Sequence, residues 1–482
     1  MLTAFTGSQI REAERPLLER GLGPELMARA AHGLYRSLVA EVRRLRGALY
    51  GGRVTAVVGK GNNGGDALFA LAELAGRGVR TTAVLTSGAA HPAGLAAFEA
   101  AGGVVERTLG EADVVVDAVL GTGSSGDYRP PFPRPAATVV ACDLPSGVDA
   151  DSGSASQEVW RADVTVTFGA LKTGLLAGRG RELAGRVEVV DIGLGEYLPR
   201  PDAYVLEAED VRAVLPEPRD DWQKYTRGVL GVIAGSDEYP GAAVLTTAAA
   251  LATGVGMVRH IAPESVRRAV LAAHPEVVAS GTPEGRVQAW AVGPGIGDDA
   301  AQHRAFEVAL DSGLPIVVDA SGLDRVPGPR FDGRAVLTPH AGELARILSR
   351  LGVEVGRPEV EERPVVWARR AAERVGATVL LKGPATVCAA PDGTVCIQAV
   401  AHPYLATAGS GDTLTGIVGA LLATTSDVRP VHAAAAAAMI HGRAGRIAAE
   451  SGPFGAGQLA PAVRQAVAAF QGGFTEPPSG LR

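Results

Sequence analysis

Short valine-rich apolar runs alternate along this chain with glycine-rich turns and longer stretches of helical spacing. A helical pattern comes first. Ile10, Ala13 and Leu17, then Leu26, Ala30, Leu34 and Leu38, recur at helical intervals, and turn residues from Gly21 to Pro24 divide them into two helices. From Arg53 the period changes, and residues 54–58, 81–85, 114–116, 139–142, 164–168 and 187–190 each read as a strand followed by a turn and a helical segment. This alternation predicts a parallel sheet covered by helices.

The pattern weakens after Asp191. Prolines and charges without a sustained period, at Leu198, Pro199, Arg200 and Pro201 and again from Pro216, mark a domain edge. The expected division is 1–218 and 219–482, with a short β-α piece at 204–215 that fits either side. A second α/β series follows, with strands expected at 228–234, 257–261, 289–292, 316–319, 335–337 and 378–381 and an alanine-rich helix at 241–253. Asp392-Gly393 between apolar runs predicts a hairpin. Polar or glycine-rich turns at 235–243, 293–297, 338–343, 382–386 and 408–412 follow successive strands, which implies a crevice for a nucleotide and a second ligand.

A length of 482 residues supports two domains better than one. Net charge of -6 and only 5% aromatic residues argue against nucleic acid as a partner. The three cysteines, Cys142, Cys388 and Cys396, have no metal-ligand spacing and suit a reducing compartment. Charges interrupt the N-terminal stretch where a signal peptide would have its apolar core, and no apolar run is long enough to span a bilayer. The expectation is a cytoplasmic enzyme that is not a membrane partner.

Candidate chemistry sits at the predicted strand ends. The first strand runs into Gly59-Lys60-Gly61-Asn62-Asn63-Gly64-Gly65-Asp66, a formal G-x-G-x-x-G. Residues 80–90 contain no acid to hold a ribose, and the asparagines and aspartate add oxygens that suit a cation or a sugar-like ligand. Asp117 and Asp143 end later strands, so Asn63, Asp117 and Ser146 are a candidate oxygen set for a hard cation. Asp143 and Asp149 as simple turn caps are the plainer alternative. In the second half, Ala408-Gly409-Ser410-Gly411-Asp412 opens a helix, where free backbone N–H groups suit a phosphate and Asp412 stands as a candidate base.

GKGNNGGD, DAVLGTG and DLPSGVDAD, with the earlier MARAA, resemble the signature set of the NAD(P)H-hydrate epimerase domain. The resemblance implies a Rossmann-like α/β/α fold in which Asn62, Asn63, Gly64, Gly65 and Asp66, with Gly121, Thr122, Gly123, Ser124, Ser125, Gly126 and Asp127, hold the hydrated dinucleotide. It assigns potassium to Asn63, Asp117 and Ser146 and an acid/base role to Asp143. Lys172 in GALKTGLL is a further candidate near the nicotinamide, against the commoner outcome of a solvated lysine. Ala67 and the segment GTGSSGDYRPP depart from the usual pattern.

KYTRG, PGAAVL, GPGIG, LTPHAGE, LKGPATV and AGSGDTLTG resemble, in order, the ribokinase-like ADP-dependent NAD(P)H-hydrate dehydratase, an α/β/α fold. By that resemblance Lys382, Gly383, Pro384, Ala385 and Thr386, with Gly409, Ser410 and Gly411, seat ADP. Ala242, Gly295, His340 and Asp412 face the hydrate. Asp412 is the expected base and Mg2+ the expected counter-charge, while Ser321 replaces an acid of the family's usual D-A-D-A-L. The implied substrates are the hydrates of NADH and NADPH with ADP, and identical copies are expected to assemble. A sugar or vitamin kinase, or a nucleotide sensor without turnover, are the rival readings of the glycine-aspartate turn.

Overall fold

The computed structural model describes residues 1–123, 127–217, 220–326 and 331–473. The chain divides into two compact units, one from Thr3 to Ala203 and one from Tyr204 onward together with Met1 and Leu2. The 204–215 piece thus packs with the second unit, ahead of the expected division at 218/219. Its helix, Ala208–Val214, buries Val211 and Val214 in the same cluster as Val431 and Val467, so its apolar face settles its side.

In the first unit Arg53–Val58 is central. Arg80–Leu85 and Val104–Glu106 extend the sheet to one side, and Val114–Ala118, Thr138–Cys142, Val164–Phe168 and Arg186–Val190 extend it to the other. Every neighbouring pair is parallel. The valine-rich strands are buried because helices cover both faces. The strand order reverses beside Arg53–Val58, and such a switch point opens a crevice at the carboxyl ends of the strands. Gly59 lies there because the chains touch: a Cβ would stand 2.1 Å from the Val119 carbonyl oxygen, and one on Gly64 2.2 Å from that of Gly59.

The pattern did not predict the strand Leu2–Phe5, which pairs in parallel with Leu171–Lys172 and sets Phe5 opposite Lys172. A capping box follows at once. Thr6 accepts from the Gln9 backbone N–H while Gln9 accepts from that of Thr6, starting the helix Gly7–Glu19.

The second unit repeats the scheme. Val229–Ile233 has Met257–Ile261 and Val278–Ser280 on one side and Ala289–Val292, Ile316–Val318, Ala335–Leu337 and Thr378–Leu381 on the other. The expected hairpin pairs Thr386–Ala389 with Val395–Gln398, with Val387 opposite Ile397. The helix Ser410–Thr424 is buried on nearly all sides between Pro240–Thr253 and Pro430–Ala449. That explains its apolar composition all round. Among the described residues no helix is long and apolar enough to cross a membrane.

Gly416 lets two of these helices meet. A Cβ there would lie 2.2 Å from the Thr246 carbonyl oxygen and 2.9 Å from the Ala249 Cβ. Gly416→Ala is therefore expected to lower unfolding free energy by about 1–3 kcal/mol through overpacking, read as a lower midpoint in urea denaturation. An unchanged midpoint would show that the helices part without cost.

Candidate active sites

The switch point of the first unit holds a cavity of about 620 Å³, lined by the 59–63 turn, the 119–123 segment, Asp66, Asp143, Phe168 and Lys172. Asp143 follows the strand Thr138–Cys142 with φ of +68°, a backbone strain that a carboxylate at a functional turn can carry. Its Oδ1 accepts from Lys172 Nζ at 2.7 Å, and its Oδ2 accepts from the Thr122 N–H at 3.1 Å. Burial alone would raise its pKa, but the Lys172 charge and these hydrogen bonds outweigh it and hold the carboxyl below its ordinary value. Lys172 is buried, not solvated, and also donates to the Phe168 carbonyl at 2.7 Å.

Asp66 faces the same cavity from the second turn of the helix Asn62–Ala75. Burial first, then the nearby charges of Asp143 and Glu14, push its carboxyl well above the ordinary range. One lysine serves several carboxylates, and Asp143 has it. Arg11 and Glu14, from the helix Gly7–Glu19, also line the cavity and were missed by motif reading. Glu14 follows Ile10 by one helical turn on the buried face, and that placement was the available signal.

Asn63, Asp117 and Ser146 converge around Leu120. Ser146 donates its hydroxyl to Asp117 Oδ1 at 2.6 Å and its N–H to Oδ2 at 2.9 Å, and its Oγ accepts from the Leu120 N–H at 2.9 Å. Asn63 donates to the Leu120 carbonyl at 3.1 Å, and its Oδ1 is buried without a hydrogen-bond partner. Gly121 packs against Asp143 and Asn63. Asp149 is a turn cap, accepting from the Ser152 N–H and hydroxyl. Asp127 is exposed, and Ser124, Ser125 and Gly126 lie outside the described residues.

In the second unit the turn at Gly409, with φ of +85°, delivers Asp412 in the first turn of Ser410–Thr424. Lys382, just past the strand Thr378–Leu381, donates to Asp319 Oδ1 at 2.8 Å, and Thr415 donates to Asp319 Oδ2 at 2.8 Å. A Cβ on Gly411 would sit 3.4 Å from Lys382 Nζ, so the glycine leaves room beside the ammonium. Burial first, then the Asp319 charge, push Asp412 up to about 6, against the opposing pull of Lys382. Ser410 meets a group that motif reading missed, with its Oγ 3.3 Å from His441 Nε2. Burial pushes that imidazole down to about 4 and keeps it neutral.

The other expected residues fall around this cluster. Gly295 packs on Ala242, whose Cβ would be 2.7 Å from a Cβ on the glycine. His340 caps the helix Ala341–Arg350, its Nδ1 accepting from the Gly342 and Glu343 N–H groups. It neighbours the 382–386 turn through a backbone bridge to Lys382. Gly383 and Pro384 are exposed, Ala385 is buried, and Thr386 begins the hairpin. Ser321 donates to the Gly293 and Ile296 carbonyls at 3.0 and 2.9 Å, a turn-holding bond in place of an acid.

The model of a family described as NAD(P)H-hydrate dehydratase matches residues 230–465, and one described as YjeF-related protein N-terminus matches residues 23–174. The bifunctional NAD(P)H-hydrate repair enzyme Nnr of Mycobacterium tuberculosis is 46% identical over 87% of this chain and 89% of its own length. That of Mycobacterium leprae is 44% identical over 97% and 99%. The chain belongs to the bifunctional NAD(P)H-hydrate repair enzymes. The second unit of this repair enzyme is also similar to a crystal structure of an ADP/ATP-dependent NAD(P)H-hydrate dehydratase from Bacillus subtilis, co-crystallised with ATP/Mg2+. The match has a TM-score of 0.51 and 29% identity, over 56% of this chain and 99% of that one.

The Asp143–Lys172 pair makes the repair enzyme sensitive to loss of either partner. Lys172→Met is expected to destabilise the first unit by about 3–5 kcal/mol by leaving a buried carboxylate unpaired, and Lys172→Met/Asp143→Asn, whose asparagine tolerates the positive φ, to recover much of that. Thermal or urea unfolding of the two variants checks this, and equal losses in both would contradict it.

Proposed function

We propose that the first unit interconverts the R and S hydrates of NADH and NADPH, and that the second dehydrates the S hydrate with ADP, yielding NAD(P)H, AMP and phosphate. Membership of the repair-enzyme family and the paired-carboxylate geometry of each unit support this reading. The observation that carries it is Asp412, a carboxylate pushed up to about 6 at a glycine-rich helix start beside Lys382. Its proton affinity suits a base working near neutral pH.

In the dehydratase, the hydrate hydroxyl attacks the terminal phosphorus of ADP while Asp412 takes its proton. The bond to the bridging oxygen breaks, and AMP leaves. Lys382 and the N–H groups at 409–411 balance the charge that builds on the transferred group. The ring-nitrogen lone pair then expels phosphate, and loss of the neighbouring carbon-bound proton restores the reduced ring. Lys382, Gly383, Pro384, Ala385, Thr386, Gly409, Ser410 and Gly411 would contact ADP, with Ala242, Gly295 and His340 toward the hydrate. Mg2+ would accompany the nucleotide phosphates, since Ser321 is committed to backbone carbonyls.

In the epimerase unit, Lys172 holds the Asp143 carboxyl below its ordinary value, which suits proton acceptance, while burial holds Asp66 well above it, which suits proton donation. Asn63, Asp117 and Ser146 would hold K+, and the unpartnered Asn63 Oδ1 fits that oxygen-ligand role. K+ would supply positive charge for the dinucleotide phosphate.

Purified chain given mixed hydrate epimers and ADP is expected to restore the reduced-nicotinamide absorbance completely, with slower recovery of the R fraction when K+ is withheld. Recovery limited to one epimer would remove the epimerase assignment. A stable phosphorylated product would favour the sugar or vitamin kinase reading instead.

A further inference from the structure

Asp319 ends the strand Ile316–Val318 and is almost completely buried, at 1% exposure. Both its oxygens are engaged: Oδ1 accepts from Lys382 Nζ and Oδ2 from Thr415 Oγ1, each at 2.8 Å. These donors come from different parts of the site, the end of Thr378–Leu381 and the second turn of Ser410–Thr424. Its backbone is fixed as firmly. The Asp319 N–H donates to the Val292 carbonyl at 3.0 Å, and its own carbonyl oxygen would stand 1.9 Å from a Cβ on Gly293. Gly411 lies over the ion pair, where a Cβ would be 3.4 Å from Lys382 Nζ and 3.6 Å from Asp319 Oδ2.

We propose that Asp319 is the positioning residue of the dehydratase site, locking the Lys382 ammonium and the Asp412 helix turn into one register through its two carboxylate oxygens. The proposal rests on the reading of Asp412 as the base. A neutral amide at this position would keep the shape but lose the charge-assisted bond to Lys382. Lys382 also has Glu343 at 3.9 Å, so without Asp319 the ammonium has another carboxylate to follow.

The carboxylate has a second consequence. Its charge opposes ionisation of Asp412, while Lys382 favours it. The charged groups around Asp412 are Asp319 and Lys382, with Glu343 behind the lysine and the neutral His441 behind Ser410. Loss of the Asp319 charge removes the repulsion, and the apparent pKa of Asp412 falls.

The test measures ADP-dependent dehydration of the S hydrate by the full chain against pH, for wild type and for Asp319→Asn, Asp319→Glu, Thr415→Val and Asp412→Asn. In Asp319→Asn, kcat should fall on the order of 100-fold, as for a misplaced catalytic group. Its KM for ADP should rise, and the acid limb of kcat/KM should move below the wild-type value of about 6. Asp319→Glu should return the limb toward wild type. Folded Asp319→Asn with an unchanged limb and unchanged KM for ADP overturns the proposal. If Asp319→Asn does not fold, Thr415→Val carries the test. It keeps the charge and drops one anchor, so kcat should fall about tenfold, the rate equivalent of one hydrogen bond to a charged group, with the limb unmoved. Wild-type kinetics in Thr415→Val then overturn the proposal. Full activity in Asp412→Asn would sink the base reading itself, a result distinct from either.

Discussion

A lysine that pairs with one carboxylate and leaves another without its own cation is the constraint on which both sites depend. In the first unit Lys172 takes Asp143 at 2.7 Å, and Asp66 retains a raised pKa. In the second Lys382 takes Asp319 at 2.8 Å, and Asp412 is pushed up to about 6. Burial by itself raises Asp66, Asp143 and Asp412. In the first unit the lysine holds Asp143 below its ordinary value while Asp66 stays above it, so residues of the same chemical type differ in proton affinity.

The fold produces this arrangement twice by the same means. Each unit has a mostly parallel sheet whose order reverses beside a central strand, Arg53–Val58 or Val229–Ile233, and the strand ends there deliver short polar side chains into one region. Valine-rich strands supply the rigid floor, and glycines permit the close approaches above it. Gly59 against Val119 and Gly293 against Asp319 are contacts that no side chain could share. The turn at Gly409 is anchored by a helix buried on nearly all sides, so Asp412 inherits the rigidity of the core.

Much of the scaffold was legible in the sequence because short β-rich runs stand between glycine-rich turns. The strands at 164–168 and 257–261 coincide with Val164–Phe168 and Met257–Ile261, and the Asp392-Gly393 hairpin forms as its turn chemistry demands. Leu2–Phe5 was not legible, since a short strand carries too little pattern and its partner, Leu171–Lys172, is far away in sequence. The side of residues 204–215 depended on which core offered a surface to Val211 and Val214. At the sites, glycine-rich turns announced the residues they contain, whereas Asp319, His441, Arg11 and Glu14 became visible only when tertiary packing brought them to those turns. Lys172 stood out in the sequence as a candidate against the commoner solvated lysine, and its enclosure by Phe168 and Asp143 comes from tertiary packing.

The most direct measurement of this partition is the ionisation of Asp412 itself. Difference infrared spectra between the chain and Asp412→Asn isolate the carboxylic acid stretch of that one side chain across a pH titration. The account predicts that the protonated signal disappears with a midpoint near 6. A midpoint at the ordinary aspartate value of about 4 would mean that Lys382 serves Asp412 as fully as Asp319, and the division of roles between them would not hold.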